Sequence, residues 1–89
     1  PQDDKEAMKW YRLAADQGDA SAQFNLGLLY GTGRGVPQDY VQAHMWLNLA
    51  GANENENGRK ARDLIAKEMT PSQIEKAQAL AREWMAAHP

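Results

Sequence analysis

The hydrophobic positions of the chain recur with the spacing of an α-helix. One apolar stripe contains Ala7, Trp10, Tyr11 and Ala14, and a second contains Ala22, Leu26, Leu29 and Tyr30. Residues three and four apart share one face of a helix, so each stripe predicts an amphipathic helix with one buried face. No segment alternates convincingly between apolar and polar residues, and we therefore expect no β-sheet.

Capping signals set the predicted helix boundaries. Three oxygen-bearing residues precede a Glu or Gln by three positions, as in a capping box: Asp3, Asp39 and Thr70. Pro71 then occupies a first helical position, where its missing N–H costs nothing. Helix ends are predicted at Gly18, at the glycine-rich segment 31–35 and at the polar segment 53–58. Five helices follow, near residues 4–17, 20–31, 40–52, 56–69 and 71–87.

The sequence also repeats itself at a fixed distance. Pro37, Gln38 and Asp39 follow Pro1, Gln2 and Asp3 by 36 positions, and the same distance pairs Ala7 with Ala43, Trp10 with Trp46, Leu13 with Leu49 and Ala14 with Ala50. A period between about 20 and 50 residues is typical of stacked supersecondary units. Each period holds two helices, so the repeat predicts an array of helix pairs.

A longer stretch carries the pattern of a known family. The segment KEAMKWYRLAADQGDASAQFNLGLLYGTGRGVPQD resembles the Sel-one-like repeat, a relative of the tetratricopeptide repeat, and the core pattern is intact from Ala22 to Val36. The resemblance covers roughly residues 1–54. Further on, Ala61, Ile65 and Met69 keep only the spacing of Ala22, Leu26 and Tyr30, at a distance of 39, so we interpret this copy as degenerate. The resemblance implies an all-α, right-handed α/α solenoid of antiparallel helix pairs.

The repeat divides the chain into four parts of a single domain, 1–89. Residues 1–18 are interpreted as the second helix of a truncated repeat, 19–54 as a complete repeat, 55–69 as a degenerate half repeat and 70–89 as a capping helix. Terminal repeats are expected to be atypical. In the last helix Ile74, Ala77, Ala81, Trp84 and Met85 recur at helical spacing and are expected to cover the final repeat.

Small and aromatic residues are expected to hold the array together. The positions assigned structural roles are Ala7, Trp10, Ala14, Ala22, Leu26, Gly27, Tyr30, Gly33, Gly35, Ala43, Trp46, Ala50 and Trp84. Trp10 and Trp46 occupy the same phase of successive repeats, so each is expected to fill the gap between its own helix pair and the next. The first helix lacks the helix that precedes it in a complete repeat. We expect an exposed apolar face there, involving Met8, Tyr11 and Leu13, and self-association through that face.

Composition narrows the function classes. The chain has no Cys, so it holds no disulfide framework and no thiolate metal site. Ten basic residues face twelve acidic ones without forming a basic stripe, which argues against nucleic acid as a partner. No apolar run approaches the roughly 20 residues of a membrane span. We expect a soluble piece of a longer, bacterial protein, in the cytoplasm or in the periplasm or medium.

Candidate chemistry is sparse, and no catalytic, cofactor-binding or metal site is expected. Ser21 and Ser72 lie in first turns of predicted helices, and His44 and His88 lack a partner motif. His44 is expected to be partly exposed or hydrogen-bonded. The segment 31–35 ends a helix and is interpreted as a turn in preference to a phosphate loop. Asn53 to Gly58 resembles half of a calcium loop, but Leu64 occupies the position of the bidentate Glu, which favours a polar connector.

The resemblance implies a protein-binding scaffold or adaptor whose concave surface takes a peptide or partner helix. Candidate contact residues on that surface are Phe24, Asn25, Leu28, Asp63 and Lys67. The alternative for Phe24 and Leu28 is packing against a neighbouring helix. Two alternative functions remain: a β-lactam-binding or hydrolysing enzyme, disfavoured because those relatives are rich in Cys, and a purely structural C-terminal cap of a larger array.

Overall fold

The computed structural model describes residues 3–89 and is built entirely from helices there. The helices are α1 (Asp4–Asp16), α2 (Ala20–Thr32), α3 (Tyr40–Ala52), α4 (Glu56–Ala66) and α5 (Pro71–Ala87). The predicted all-α class and the five predicted helices are confirmed over this range. The repeated residues Pro1 and Gln2 lie outside the described range.

Each helix begins at a side-chain cap. Asp3, Asp19, Asp39, Asn55 and Thr70 all accept a hydrogen bond from a backbone N–H of the first helical turn. Thr70 also forms the reciprocal bond with Gln73 that completes a capping box. In α1 the predicted capping-box partner of Asp3 is Glu6, and it makes a different contact. Its carboxylate accepts a hydrogen bond from Trp10 Nε1 at 3.0 Å.

The fourth helix ends three residues before the predicted position, at Ala66. The chain then forms a tighter turn with hydrogen bonds between residues three apart. The N–H of Glu68 donates to the carbonyl of Ile65, and the N–H of Met69 donates to the carbonyl of Ala66. This tighter turn buries Met69, which is 9% exposed, and is followed directly by Thr70, the N-cap of α5.

The turns after α1 and α3 have the same geometry, and they correct the predicted alignment of the degenerate copy. Gly18 (φ +91°) and Glu54 (φ +68°) both have left-handed backbone and lie 36 positions apart. The N–H of Asp19 bonds to the carbonyl of Ala14, and the N–H of Asn55 to that of Ala50, again 36 apart. The period of 36 therefore continues into α4, and the distance of 39 inferred from apolar spacing is wrong at the start of this helix.

Helix α3 is the centre of the molecule and packs against α2, α4 and α5. Its residues from Ala43 to Leu47 are all buried. Trp46 is 2% exposed and belongs to a core cluster that also contains Leu26 of α2, Met8 of α1 and Ala81 of α5. Its ring meets that of Trp84 edge to face, with centroids 6.2 Å apart. The C-terminal helix thus covers the core, as predicted, although Met85 at its end is 41% exposed.

Trp10 does not have the role predicted from its match with Trp46. Its side chain is 59% exposed, and Leu13 beside it is 51% exposed. The reason is the order of the helices: Trp46 is covered because α2 and α5 pack around α3, whereas no described helix covers this side of α1. The exposed apolar side chains on this side of α1 are Trp10 and Leu13. Two of the three residues predicted for this face differ, because Met8 is 7% exposed and lies in the core, and Tyr11 packs against that core.

Two glycines are required by close approach. A Cβ on Gly27 would lie 2.7 Å from Leu47 Cγ. Helices α2 and α3 therefore cross at a position where α2 carries no side chain. Gly35 has φ +80°, and a Cβ there would lie 2.6 Å from the carbonyl oxygen of Asp4. The sequence predicted a positive φ in this glycine-rich turn, and Gly33 and Gly35 both adopt it.

Candidate binding surfaces

The predicted contact residues cluster partly around two shallow depressions that share Leu28. The first, about 270 Å³, lies between α2 and α4 and is lined mainly by apolar side chains: Leu28, Tyr40, Ala61, Leu64 and Ile65. We call it the α2–α4 groove. The second, about 290 Å³, lies between α1 and α2 and includes Tyr11, Asn25 and Leu28. Leu28 is 36% exposed and Leu64 63% exposed, so both present apolar surface to solvent.

The structure sorts the five predicted residues into three groups. Asn25 and Leu28 line the depressions. Phe24 is half-buried and is not among the lining residues of either depression. Asp63, on α4, and Lys67, the C-cap residue of α4, are exposed and do not line the groove.

Leu64 lines the groove but is not among the five predicted contact residues. It follows Leu28 by 36 positions, so the two residues are equivalent in the period that the turns define. An alignment at that distance instead of 39 pairs two identical exposed leucines and would have found it.

The remaining polar candidate, His44, lies inside the helix bundle. It is 3% exposed, and its Nδ1 has no hydrogen-bond partner among residues 3–89, which corrects the expectation of a partly exposed or hydrogen-bonded side chain. Burial and the nearby positive charge of Arg62 lower the pKa of His44, and Asp63 partly opposes this. The imidazole of His44 is therefore neutral and forms part of the buried core on the inner face of α3.

Within residues 3–89, no group of three or more His, Asp or Glu side chains is arranged to hold a metal ion. None of the helices in this range combines the length and the apolarity that crossing a bilayer requires.

Helix pairs stacked at a period of 36 residues, with a small-residue crossing at Gly27 and glycine turns, define an α/α repeat protein of the solenoid class. The Sel1 repeat family model matches residues 1–19 and 20–55, which is more than half of the chain. The chain therefore belongs to the Sel1 repeat family, and the predicted resemblance is confirmed. Proteins of this family are generally modules for protein interaction, and the fold is typically a scaffold without enzymatic activity.

The chain is similar to segments of two longer proteins. It is 36% identical over 64 residues to the chitin synthase regulator SKT5 of Saccharomyces cerevisiae, an alignment that covers 68% of this chain and 9% of that protein. A crystal structure of a protective antigen present in uropathogenic Escherichia coli strains, displaying an SLR fold, superposes with a TM-score of 0.91 and 38% identity. That match covers 94% of this chain and 18% of the other. The chain thus spans a small part of each relative.

Proposed function

We propose that this chain is a scaffold or adaptor module that holds a partner protein in the α2–α4 groove. The single observation that supports this most is the pair of equivalent leucines, Leu28 and Leu64, exposed on adjacent helices beside a common depression. Exposed apolar side chains that line a concavity are typical of protein-binding surfaces.

The chemistry of the groove defines its occupant. Tyr40, Ala61 and Ile65 form an apolar floor that suits an aliphatic or aromatic side chain of the partner. Asn25 on the neighbouring depression offers an amide donor and acceptor for a peptide backbone. Glu68 lines the groove with a carboxylate, whereas Asp63 and Lys67 do not line it and Asp63 is paired with Arg62 at 3.0 Å. The occupant is a partner segment that anchors one apolar side chain in the groove.

The division proposed from the sequence accompanies this function. Residues 19–54 act as the complete repeat, 1–18 and 55–69 as its partial neighbours, and 70–89 as the cap. The groove then lies between the first helix of the complete repeat and the helix that begins the degenerate one, so both leucines come from first helices of successive pairs.

A display selection tests the groove. A random peptide library is selected on the purified chain, and every recovered peptide is then titrated against Leu28→Glu and Leu64→Glu. Loss of at least about tenfold in affinity is expected for both variants, since burying a carboxylate in an apolar contact costs well over 1.4 kcal/mol. Gln78→Glu introduces the same charge at an exposed position of α5, outside the groove, and serves as the control.

A set of recovered peptides in which none loses affinity for the two groove variants would overturn the assignment. Circular dichroism of each variant checks that it remains folded. Both leucines lie on the surface, and their replacement leaves the core around Trp46 unchanged.

A second proposal concerns self-association, and it rests on the exposure of Trp10 and Leu13. The equivalent residues of α3, Trp46 and Leu49, are 2% and 3% exposed because neighbouring helices cover them. The same pair on α1 is a helix-binding face without a described partner, and a second copy of this chain is the occupant we assign to it.

Light scattering over a concentration series tests this assignment. The parent chain and Leu64→Glu are expected to dimerise with increasing concentration, while Leu13→Glu stays a monomer. A parent chain that remains monomeric at millimolar concentration, or a Leu13→Glu variant that dimerises equally well, would refute it.

A further inference from the structure

A larger cavity lies at the end of the molecule where two turns meet the last helix. It has a volume of about 530 Å³, within the usual range for ligand sites, and is formed by the α1–α2 turn, the α3–α4 turn and the C-terminal end of α5. The two turns are tied together, because the side-chain amide of Asn53 donates a hydrogen bond to the carbonyl of Gly18 at 2.9 Å. We call this the turn-end cavity.

The electrostatics of the turn-end cavity favour a cation. Helices α1, α3 and α5 all end at its wall, and a helix C-terminus carries partial negative charge. None of the three has a basic residue in its last turn to offset that charge. The carboxylate of Asp16 adds a full negative charge, and no Lys or Arg is among the lining residues.

An independent observation comes from Gln23, which lines the cavity although it is only 2% exposed. Its Nε2 donates a hydrogen bond to the carbonyl of Ala15 at 3.2 Å. Its Oε1 has no partner among residues 3–89. A buried acceptor without a partner is costly, and this oxygen is closed off from solvent. If the Gln23 side chain turns toward the cavity, a ligand N–H group gains a hydrogen bond there that the chain alone leaves unmade.

The aromatic part of the wall selects the shape of the cation. The ring of Trp84 stacks on the ring of His88 at a centroid distance of 3.9 Å and an angle of 9°, so this surface accepts a flat, nitrogen-containing group. A guanidinium is planar, stacks on aromatic rings and carries five N–H donors. It is also less strongly hydrated than an ammonium, which makes its transfer into the cavity less costly.

We propose that the turn-end cavity binds an arginine side chain of a partner protein. The guanidinium joins or replaces His88 in the stack on Trp84 and donates a hydrogen bond to the carboxylate of Asp16. It donates a second one to Oε1 of Gln23 once that side chain has turned toward the cavity. This site lies on a different part of the surface from the α2–α4 groove, and it does not depend on the function proposed for that groove.

Titration with capped arginine, N-acetyl-arginine amide, tests the site on the intact chain. Two-dimensional NMR follows the indole N–H of Trp84 and the side-chain amide of Gln23, both of which are expected to shift. A ligand of this size is expected to bind with a dissociation constant on the order of millimolar. Capped citrulline has the same shape without the charge and is expected to bind at least about tenfold more weakly. Capped lysine is expected to bind more weakly than capped arginine.

Two variants with the same change in net charge complete the design. Asp16→Asn is expected to weaken arginine binding about fivefold, the effect of losing a solvent-exposed ion pair. Glu75→Gln alters an exposed carboxylate near the start of α5, outside the cavity, and is expected to leave binding unchanged.

The proposal is overturned if Trp84 and Gln23 do not respond, if citrulline or lysine binds as tightly as arginine, or if Asp16→Asn binds like the parent chain. Leu64→Glu is expected to retain arginine binding. Failure of the groove and failure of this cavity are therefore separate results.

Discussion

Replacement of Trp46 by Ala is expected to remove a large part of the stability of this chain. The side chain is 2% exposed, packs edge to face on Trp84 and lies 5.8 Å beneath the guanidinium carbon of Arg12. Truncating a buried Trp costs about 3–5 kcal/mol, since apolar burial is lost and a cavity remains. A domain of 89 residues has a total stability of about 4–13 kcal/mol, so the variant approaches the limit of folding.

Trp10→Ala is the matched control for this experiment. It makes the same substitution at the equivalent position of the preceding helix, 36 residues earlier. Because Trp10 is 59% exposed, its loss is expected to change the free energy of unfolding by only about 0.5 kcal/mol. The pair separates the effect of position in the fold from the effect of residue type.

Urea denaturation followed by far-ultraviolet circular dichroism measures both variants, at low micromolar concentration so that self-association does not contribute. Trp46→Phe adds a third point and is expected to cost about 1–2 kcal/mol. The cost is limited because Trp46 Nε1 has no hydrogen-bond partner among residues 3–89, so the change to Phe leaves no hydrogen-bond acceptor unpaired there. Equal losses for Trp46→Ala and Trp10→Ala, or a loss below 1 kcal/mol for Trp46→Ala, would refute the role assigned to α3.

Three further predictions concern single positions. Gly35→Ala should cost at least about 2 kcal/mol of unfolding free energy in urea, because its φ is +80° and a Cβ would lie 2.6 Å from the carbonyl oxygen of Asp4; an unchanged midpoint would contradict this. Since burial and Arg62 lower the pKa of His44 in the folded state, protonation favours the unfolded chain. Stability should therefore fall as pH drops below about 6.5, by at most about 1.4 kcal/mol per pH unit, and this part of the slope should be absent from His44→Met. Thr70→Ala should lose about 1 kcal/mol while Thr70→Ser loses little, as measured by thermal unfolding, because the capping hydroxyl is retained only in the second.

Local features of the sequence predicted most of the fold. Helix boundaries followed from caps such as Asp39 and Thr70, whose side chains bond to backbone N–H groups within three residues. The sharp turn at Gly35 was predictable for the same reason, since a positive φ is a property of one residue. The end of α4 was missed because the tightened turn that buries Met69 depends on packing against the rest of the molecule.

The binding surfaces were predictable only in part. Asn25 and Leu28 were identified from the helical face they occupy. Leu64 was not among the five named contact residues, because the distance of 39 matched it with Asn25 instead of Leu28. The turn-end cavity has no signal in the sequence. It depends on Asp16, Gln23 and Trp84, which come from three different helices.

By itself, the sequence determined that this chain forms five helices in Sel1-type repeats, because helical periodicity, caps and turn glycines act between residues a few positions apart. Tertiary structure alone decided that Trp46 is core while Trp10 is surface, and that the imidazole of His44 is buried. Identical residues at equivalent positions differ in burial because burial depends on which helix packs across them. That is a property of the neighbours in space, which the local pattern around either tryptophan does not contain.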